Sequence, residues 1–183
     1  MIKPFATERL LLKPLAPNDA AAVLNYLDRN REFLCPWEPV KPEGFYTMEY
    51  QAAILDKELD MMERSMLLKW WIIKKDNPEQ LIGMIAFNNI VRGAFQSCHL
   101  GYRLDEREIN QGYMTEALRK AIEVAFEEHK LHRIEANIMP RNTRSLRVVQ
   151  KLGFEEEGLA KKYLKINGVW EDHIHMVLFN DAV

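Results

Sequence analysis

Two polar segments of the chain have residue types and spacings that suit anion binding. The turn DEREINQG, residues 105–112, leads from a strand-like stretch into a long amphipathic run, and Asn142 and Ser145 stand three residues apart in MPRNTRSLRVVQKLGF. Backbone N–H groups and the helix dipole converge on a phosphate where a strand passes through such a turn into a helix. Gly112 lets the backbone approach a ligand without a Cβ, and Asn110 tolerates left-handed geometry. The pair of segments therefore predicts an anion site.

The glycine content of the turn limits how specific this prediction is. No Gly-Lys-Ser/Thr follows Gly112, so the turn is not a Walker loop, and its single glycine does not make a dinucleotide fingerprint. Most helices begin with a polar turn and bind nothing. The anion-binding interpretation depends on Asn142 and Ser145 lying beside the turn in the fold.

The hydrophobic pattern predicts the elements that position these residues. Alternating or branched runs predict strands over 8–15, 66–75, 80–91, 95–104 and 132–139, and a hairpin of 160–166 with 169–179 around Asn167-Gly168. Helical periodicity predicts helices over about 19–30, 47–64 and 113–129, and a short helix from an Asn142 N-cap to Gly153. The strands over 66–104 should be antiparallel neighbours, because short separators join them. We expect one α/β domain over 1–183, with a mixed, mostly antiparallel sheet flanked by helices.

The segment FLCPWEPVKPEGF, residues 33–45, has three prolines in seven residues. This density predicts a stiff loop that is neither helical nor a central strand. The loop carries Trp37 and Glu38.

Composition excludes several classes of function. Among 183 residues, 48% are hydrophobic and 28% charged, with a formal net charge of -2, which is ordinary for a globular protein. The chain lacks the excess of positive charge that would suggest nucleic-acid binding. No stretch approaches the roughly 18 uninterrupted apolar residues of a membrane helix, and the N-terminus has no signal-like segment. We expect a cytoplasmic protein, monomeric or homodimeric, without direct contact to nucleic acid or membrane.

Cysteine and histidine spacing predicts no metal centre. Cys35 and Cys98 form no Cys-x-x-Cys pair, and both are interpreted as reduced, buried thiols. His173 and His175 share one face of a strand, but the sequence shows no third ligand beside them.

Several segments together resemble the GNAT acetyltransferases. They are LGYRL, NQGYMTEAL, and RIEANIMPRNTRSLRVVQKLGFEEEG, which match the family's Arg/Gln-x-x-Gly-x-Gly/Ala turn, Glu-Ala, Asn-x-x-Ser and Lys/Arg-Leu-Gly-Phe pattern. The segments NREFLCPWEPV and EGLAKKYLKINGVWEDH extend the resemblance to the members that acetylate ribosomal proteins at an N-terminal alanine. The chain departs from the turn pattern at Ile109 and Met114, so an Arg or Gln side chain is missing at the first position.

The resemblance implies acetyl-CoA as co-substrate, without a metal, and direct attack by an amine on the thioester in a ternary complex. Backbone amides of the turn would hold the pyrophosphate, free backbone groups of the strand would pair with pantetheine, and Asn142 would hydrogen-bond the cofactor. The residues expected at the cofactor are Tyr102, Arg103, Leu104, Asn110, Gln111, Gly112, Tyr113, Met114, Thr115, Asn142, Ser145 and Lys151.

The resemblance also indicates the catalytic groups. Ser145 matches the serine with which some members donate a proton or hydrogen bond to the departing sulfur. Two other positions do not match: the family's catalytic tyrosine aligns with Val149, and a glutamate base aligns with Leu164.

For the general base the sequence leaves Glu38, Glu135 and His99 as candidates, and the proline-braced Glu38 leads. A peptide groove could be walled by Trp37, Tyr163 and Trp170, although packing explains any single aromatic equally well.

Three functions remain open at this stage. The leading hypothesis is acetylation of the N-terminal α-amine, at Ala or Ser, of a protein such as a ribosomal protein. The alternatives are acetylation of a small amine, such as a polyamine, amino acid or antibiotic, and a weakly catalytic acyl-CoA-binding or ribosome-associated module.

Overall fold

A computed structural model of the protein describes residues 3–182. Its strands are β1 Phe5–Ala6, β2 Leu10–Lys13, β3 Leu68–Lys74, β4 Asn77–Val91, β5 Ser97–Leu104, β6 Arg133–Ile138, β7 Glu155–Ile166 and β8 Val169–Phe179. Its helices are α1 Ala20–Arg29, α2 Arg31–Leu34, α3 Met48–Glu63, α4 Tyr113–Glu127 and α5 Thr143–Lys151. The predicted α/β class is confirmed.

All eight strands form one mixed sheet in the order β1-β2-β3-β4-β5-β6-β8-β7. Every neighbouring pair is antiparallel except β5 and β6, which are parallel and are connected through α4. The predicted meander of β3, β4 and β5 and the hairpin of β7 and β8 are therefore confirmed.

Helices cover both faces of the sheet. The helix α4 buries Met114, Leu118, Ala121 and Ala125 on one face, at the helical spacing that predicted the helix. The helices α1 and α3 pack on the opposite face. Successive strand residues point to opposite faces, so each helical layer receives every second side chain of the central strands.

The strands β5 and β6 diverge after a short paired segment. Their pairing covers only Ser97 to His99 on β5 and Arg133 to Glu135 on β6. Beyond His99, β5 remains paired with β4, while β6 remains paired with β8. A wedge-shaped gap therefore opens between β5 and β6 in the centre of the sheet. On the side of β5 that faces this gap, the backbone of residues 100–104 has no partner strand among the described residues.

Two local predictions were wrong. The loop over 33–45 begins in helical conformation, because α2 ends at Leu34 and a 3-10 turn covers Cys35–Trp37. Pro36 fits there, since the first turn of a helix needs no N–H donor. The thiol of Cys35 is exposed rather than buried, because this turn lies at the surface; Cys98 is buried as expected.

Candidate active site

A cavity of about 480 Å³ lies at the wedge between β5 and β6, and we call it the wedge cavity. Tyr102 and Ser145 line it from the α4 side of the sheet, and Glu38, Arg103 and His173 line it from the α1 side. The wedge cavity thus reaches both faces of the sheet. Two reactants can enter from opposite faces and meet between the strands, which removes most of the entropic barrier to their reaction.

The turn before α4 is built to present N–H groups. Asn110 and Gly112 adopt left-handed backbone conformations, with φ of 61° and 80°. The first intrahelical bond runs from Glu116 N–H to the Gly112 carbonyl, so the three N–H groups of residues 113–115 have no acceptor within the helix. These residues line the wedge cavity. The geometry and the helix dipole suit an anion such as a pyrophosphate.

Arg9, which the sequence did not single out, braces this turn. Its Nη1 donates to the Gln111 carbonyl at 3.0 Å and its Nε donates to Glu116 at 2.6 Å. Its guanidinium carbon lies 4.4 Å from the centroid of the Tyr113 ring. The sequence indicated that Ile109 leaves the turn without a guanidinium, but Arg9 places one beside the turn from the start of β2.

The helix α5 adds a row of cations along the wedge cavity. Arg144, Arg147 and Lys151 all line it, and their i, i+3, i+7 spacing puts them on one face of the helix. Only Lys151 was predicted, although this spacing was visible in the sequence. Asn142 caps the helix as expected, since its Oδ1 accepts the Ser145 N–H at 3.3 Å. Its side-chain amide N–H groups remain available to a ligand.

Tyr102 and Ser145 form a pair that the sequence did not reveal. The Tyr102 hydroxyl lies 2.6 Å from Ser145 Oγ and 2.9 Å from the Ser145 carbonyl oxygen. Burial raises the pKa of Tyr102 against the opposing effect of the Ser145 hydrogen bond. The phenol therefore keeps its proton, and when it donates to Oγ the hydroxyl proton of Ser145 is free for a ligand atom.

On the opposite face, Glu38 is held in two ion pairs. Its Oε1 accepts from Arg103 Nη1 at 2.7 Å, and its Oε2 lies 2.6 Å from Lys41 Nζ. Burial acts to raise the pKa of Glu38, but the charges and hydrogen bonds of Arg103 and Lys41 outweigh it and hold the pKa below its ordinary value. The carboxylate is therefore a permanent negative charge and a weak proton acceptor.

Two contacts join the loop of Trp37 and Glu38 to the hairpin of β7 and β8. Arg141 donates to the Pro36 carbonyl at 3.1 Å and to Glu171 at 2.9 Å. The Asn167 N–H donates to the Glu38 carbonyl at 3.1 Å. The loop and the hairpin, whose sequences extended the resemblance beyond the general GNAT pattern, therefore meet at one rim of the wedge cavity.

His173 supplies a nitrogen base at the wedge cavity. Only 3% of its surface is exposed, and its Nδ1 lies 3.0 Å from the Glu171 carbonyl oxygen. A carbonyl oxygen only accepts, so this contact assigns the hydrogen to Nδ1 and leaves the lone pair on Nε2. His173 lines the wedge cavity beside Asn137. The sequence presented it only as half of an incomplete metal site.

The other predicted base candidates belong to a neighbouring cluster. Glu135 accepts from Arg133 at 2.8 Å, lies 3.0 Å from His175 Nδ1, and is 3.7 Å from His99 Nε2. Burial acts to raise the pKa of Glu135, but these partners lower it overall. Tyr163 packs on His175 at 4.8 Å between ring centroids. The cluster thus consists of Glu135, its three charged or titratable partners and Tyr163, and none of these five residues lines the wedge cavity.

The structure thus separates the predicted site residues into two groups. Trp170 is 58% exposed at the end of the hairpin. Gln111 accepts from Arg9 through its carbonyl, and its side-chain amide donates to the Arg107 carbonyl and to Glu108. The predicted residues outside the wedge cavity are His99, Gln111, Glu135, Tyr163 and Trp170. Those that line it are Trp37, Glu38, Tyr102, Arg103, Leu104, Asn110, Gly112, Tyr113, Met114, Thr115, Asn142, Ser145 and Lys151.

The described residues contain neither a cluster of metal ligands nor a membrane-spanning helix. Across residues 3–182, no group of three or more His, Cys, Asp or Glu side chains is arranged to hold a metal ion. Among the helices in the same range, none is both long and apolar enough to cross a membrane.

Comparison of the sequence with known proteins agrees with this geometry. Residues 9–155 match the model of the acetyltransferase (GNAT) domain. The probable N-acetyltransferase YjcK of Bacillus subtilis is 39% identical over 171 residues, which cover 93% of this chain and 94% of that protein. The ribosomal protein uS5-alanine N-acetyltransferase of Escherichia coli is also 39% identical, over 93% of this chain and 87% of that protein.

Solved structures show the same fold. The ribosomal-protein-S5-alanine acetyltransferase of Vibrio fischeri has a TM-score of 0.93 and 36% identity, with 98% of each chain covered. Mycobacterium smegmatis RimJ, solved in complex with CoA-disulfide, has a TM-score of 0.89 and 28% identity, over 99% of this chain and 88% of that one. The family match, the N–H groups before α4 and the divergence of β5 from β6 lead to one conclusion: the chain belongs to the GNAT acetyltransferases, as a RimJ-like, acetyl-CoA-dependent N-acetyltransferase.

Proposed function

We propose that this enzyme acetylates the N-terminal α-amine of a protein, with an alanine or serine as first residue and a ribosomal protein as target. The observation that carries the proposal is the wedge cavity, which reaches both faces of the sheet. Acetyl-CoA enters from the face of the α4 turn, and a chain end enters from the face of Glu38. The names of the relatives in Escherichia coli and Vibrio fischeri support a ribosomal target.

An α-amine suits this site for an electrostatic reason. Its ordinary pKa of about 7.7–8.0 leaves a sizeable neutral fraction near pH 7, whereas a lysine side chain, near 10.4, is almost fully charged. The cluster of Glu38, Arg103 and Lys41 carries one net positive charge, so it favours the neutral amine over the ammonium form at this rim of the cavity. The amine then needs only a weak base to lose a proton as it attacks.

The residues of the wedge cavity divide the reaction between them. The amine nitrogen forms a bond to the thioester carbonyl carbon, and its proton passes to Nε2 of His173. The C–S bond breaks, and Ser145 Oγ–H donates a hydrogen bond to the departing thiolate, which takes its proton from solvent. Tyr102 positions Ser145 by donating to Oγ. The general-base role first assigned to Glu38 thus moves to His173, because Arg103 and Lys41 lower the pKa of Glu38 and make its carboxylate a weak proton acceptor.

The test compares acceptors with the purified enzyme and acetyl-CoA. Free thiol and the mass of the acceptor are measured for peptides that begin with Ala or Ser, for the same peptides with a blocked N-terminus and an internal lysine, and for a panel of polyamines and amino acids. We expect acetylation of the free N-termini only. Turnover of small amines alone would replace the proposal with a small-amine acetyltransferase.

A second outcome addresses the binding-module alternative. CoA binding without thiol release for any amine would show that the chain lacks catalysis. The target is found by mass spectrometry of protein N-termini from cells with and without the gene. We expect one or a few N-termini to lose acetylation, and a ribosomal protein among them.

A further inference from the structure

A second cavity, of about 380 Å³, lies between α3 and the sheet, and we call it the α3 cavity. It shares Glu38, Gly101 and Arg103 with the wedge cavity, so the two spaces adjoin at the acceptor side of the reaction centre. This volume is far larger than one water molecule needs and is within the range of small ligand sites. The space suits the first residues of an acceptor chain.

The charged groups around the α3 cavity contact one another. Glu38 pairs with both Arg103 and Lys41, and Lys69, which is 6% exposed, forms an ion pair with Glu58. Three cations therefore face two carboxylates, so the lining carries one net positive charge. An oxygen acceptor on a ligand suits this lining better than a further cation.

Two hydrogen-bond donors at the α3 cavity lack acceptors. Nε1 of Trp71 and Nε of Arg103 are buried, and within residues 3–182 neither has a hydrogen-bond partner. Both residues line the cavity, and Trp71 is 2% exposed. Buried N–H groups in folded proteins nearly always have a partner, so each unpaired group requires an explanation. Both are donors only, so the partner must be an acceptor.

Arg103 and Trp71 lie side by side at this cavity. The Arg103 guanidinium carbon lies 5.9 Å from the centroid of the Trp71 ring. A carbonyl oxygen has two lone pairs and can accept from two donors.

We propose that Trp71 Nε1 and Arg103 Nε bind the first carbonyl oxygen of the acceptor polypeptide. This inference rests on the proposed acetylation of a protein N-terminus and adds how that substrate class is recognised. A neutral amide carbonyl satisfies both donors without adding a charge.

The test uses two acceptors that differ in the first peptide bond. The first is a peptide that begins with alanine, and the second is the analogue in which a trans-alkene replaces this bond, which keeps the chain direction and removes the carbonyl oxygen together with the amide N–H, so that the variant below assigns the loss to the indole donor. Wild-type enzyme should acetylate the peptide with a kcat/KM about tenfold or more above that of the analogue, as expected for one or two lost hydrogen bonds.

The variant Trp71→Phe removes the indole donor. It should lower kcat/KM for the peptide about tenfold, mostly through KM, and leave the analogue and the KM of acetyl-CoA unchanged. The matched control is Trp70→Phe. Trp70 points to the opposite face, where its Nε1 donates to the Lys3 carbonyl at 3.1 Å, so this variant should retain the preference for the peptide.

The outcomes separate this inference from the proposed function. Equal use of the two acceptors by wild-type enzyme, which needs no variant to fold, would overturn the carbonyl contact and leave N-terminal acetylation standing. A preference for the peptide that survives in Trp71→Phe would overturn the role of the indole donor and would likewise leave N-terminal acetylation standing. Acetylation of free amino acids but of no peptide would overturn the proposed function and this inference with it.

Discussion

The contact between Tyr102 and Ser145 predicts how two hydroxyl deletions combine. The phenol donates to Ser145 Oγ, 2.6 Å away, when the serine hydrogen is directed at the sulfur. Deleting it in Tyr102→Phe removes one orienting hydrogen bond, a change of about 1–1.5 kcal/mol, which corresponds to roughly a tenfold lower kcat. Deleting the serine hydroxyl in Ser145→Ala removes the donor to the thiolate itself and should lower kcat about 100-fold.

The double variant distinguishes a shared role from two separate ones. If Tyr102 acts only through Ser145, the double variant should be no slower than Ser145→Ala alone, whereas independent roles would multiply to about 1000-fold. The KM of acetyl-CoA should stay within about twofold of wild type in all three variants, because the turn before α4 and the α5 cations, which we propose as the cofactor contacts, are unchanged.

The assay is continuous thiol release at saturating acetyl-CoA and acceptor, with single-turnover kinetics to isolate the chemical step. The matched control is Tyr26→Phe, which deletes a buried phenol that has no hydrogen-bond partner in residues 3–182 and should leave kcat unchanged. A tenfold effect of Tyr102→Phe in the Ser145→Ala background would refute the positioning role.

Three further variants test other parts of the site. Arg9→Met should weaken CoA binding about five- to tenfold with little change in kcat, because it releases the turn before α4; calorimetric titration measures this, and Arg119→Met on the exposed side of α4 is the control. His173→Ala should lower kcat about 100-fold, and added imidazole should restore part of the rate, whereas His175→Ala should keep most activity; no rescue would count against a base at this position. Asp105→Asn should reduce the loss in the free energy of unfolding as the pH falls from 7 to 2, measured by denaturant unfolding, and an unchanged loss would contradict this.

The sign of the acid effect follows from the surroundings of Asp105. Burial acts to raise the pKa of its carboxyl, but hydrogen bonds from the Arg107 N–H, Arg29 and Asn30 lower it overall, below the ordinary value of 3.8. The unfolded chain then binds its proton at a higher pH than the folded chain does. The stabilisation from Asp105 is fully present above about pH 5 and is lost as the pH falls through the folded pKa.

Local pattern predicted much of the fold because it depends on near neighbours. The helical stripe of α4 predicts which face of that helix is buried. The alternation of Ile134, Ala136 and Ile138 predicts the buried face of β6 in the same way. The Asn142 cap and the left-handed residues 110 and 112 follow from the chemistry of single side chains. The helical start of the proline-rich loop was missed, because a proline at a first helical turn has the same appearance in a sequence as one in a loop.

The site required information that local pattern lacks. Arg9 meets the turn before α4 from 102 residues away, and Tyr102 meets Ser145 across 43 residues. The Glu38 carboxylate was a reasonable base in the sequence, and its pairing with Arg103 becomes visible only when β5 and the loop lie together. In each case the partner is set by strand order, which spacing along the chain does not encode.

The sequence by itself determined the class of fold, the family, and the turn, glycine and helix start that we propose for the cofactor, since these are contiguous in the chain. Only the tertiary structure decided which side chains meet at the wedge cavity. It separated His173 from the cluster around Glu135, although both lie near β8, and it brought Arg9 to the cofactor turn. The physical reason is that hydrogen-bond geometry and burial, which set the protonation and the direction of each group, depend on residues that the sheet brings together from distant parts of the chain.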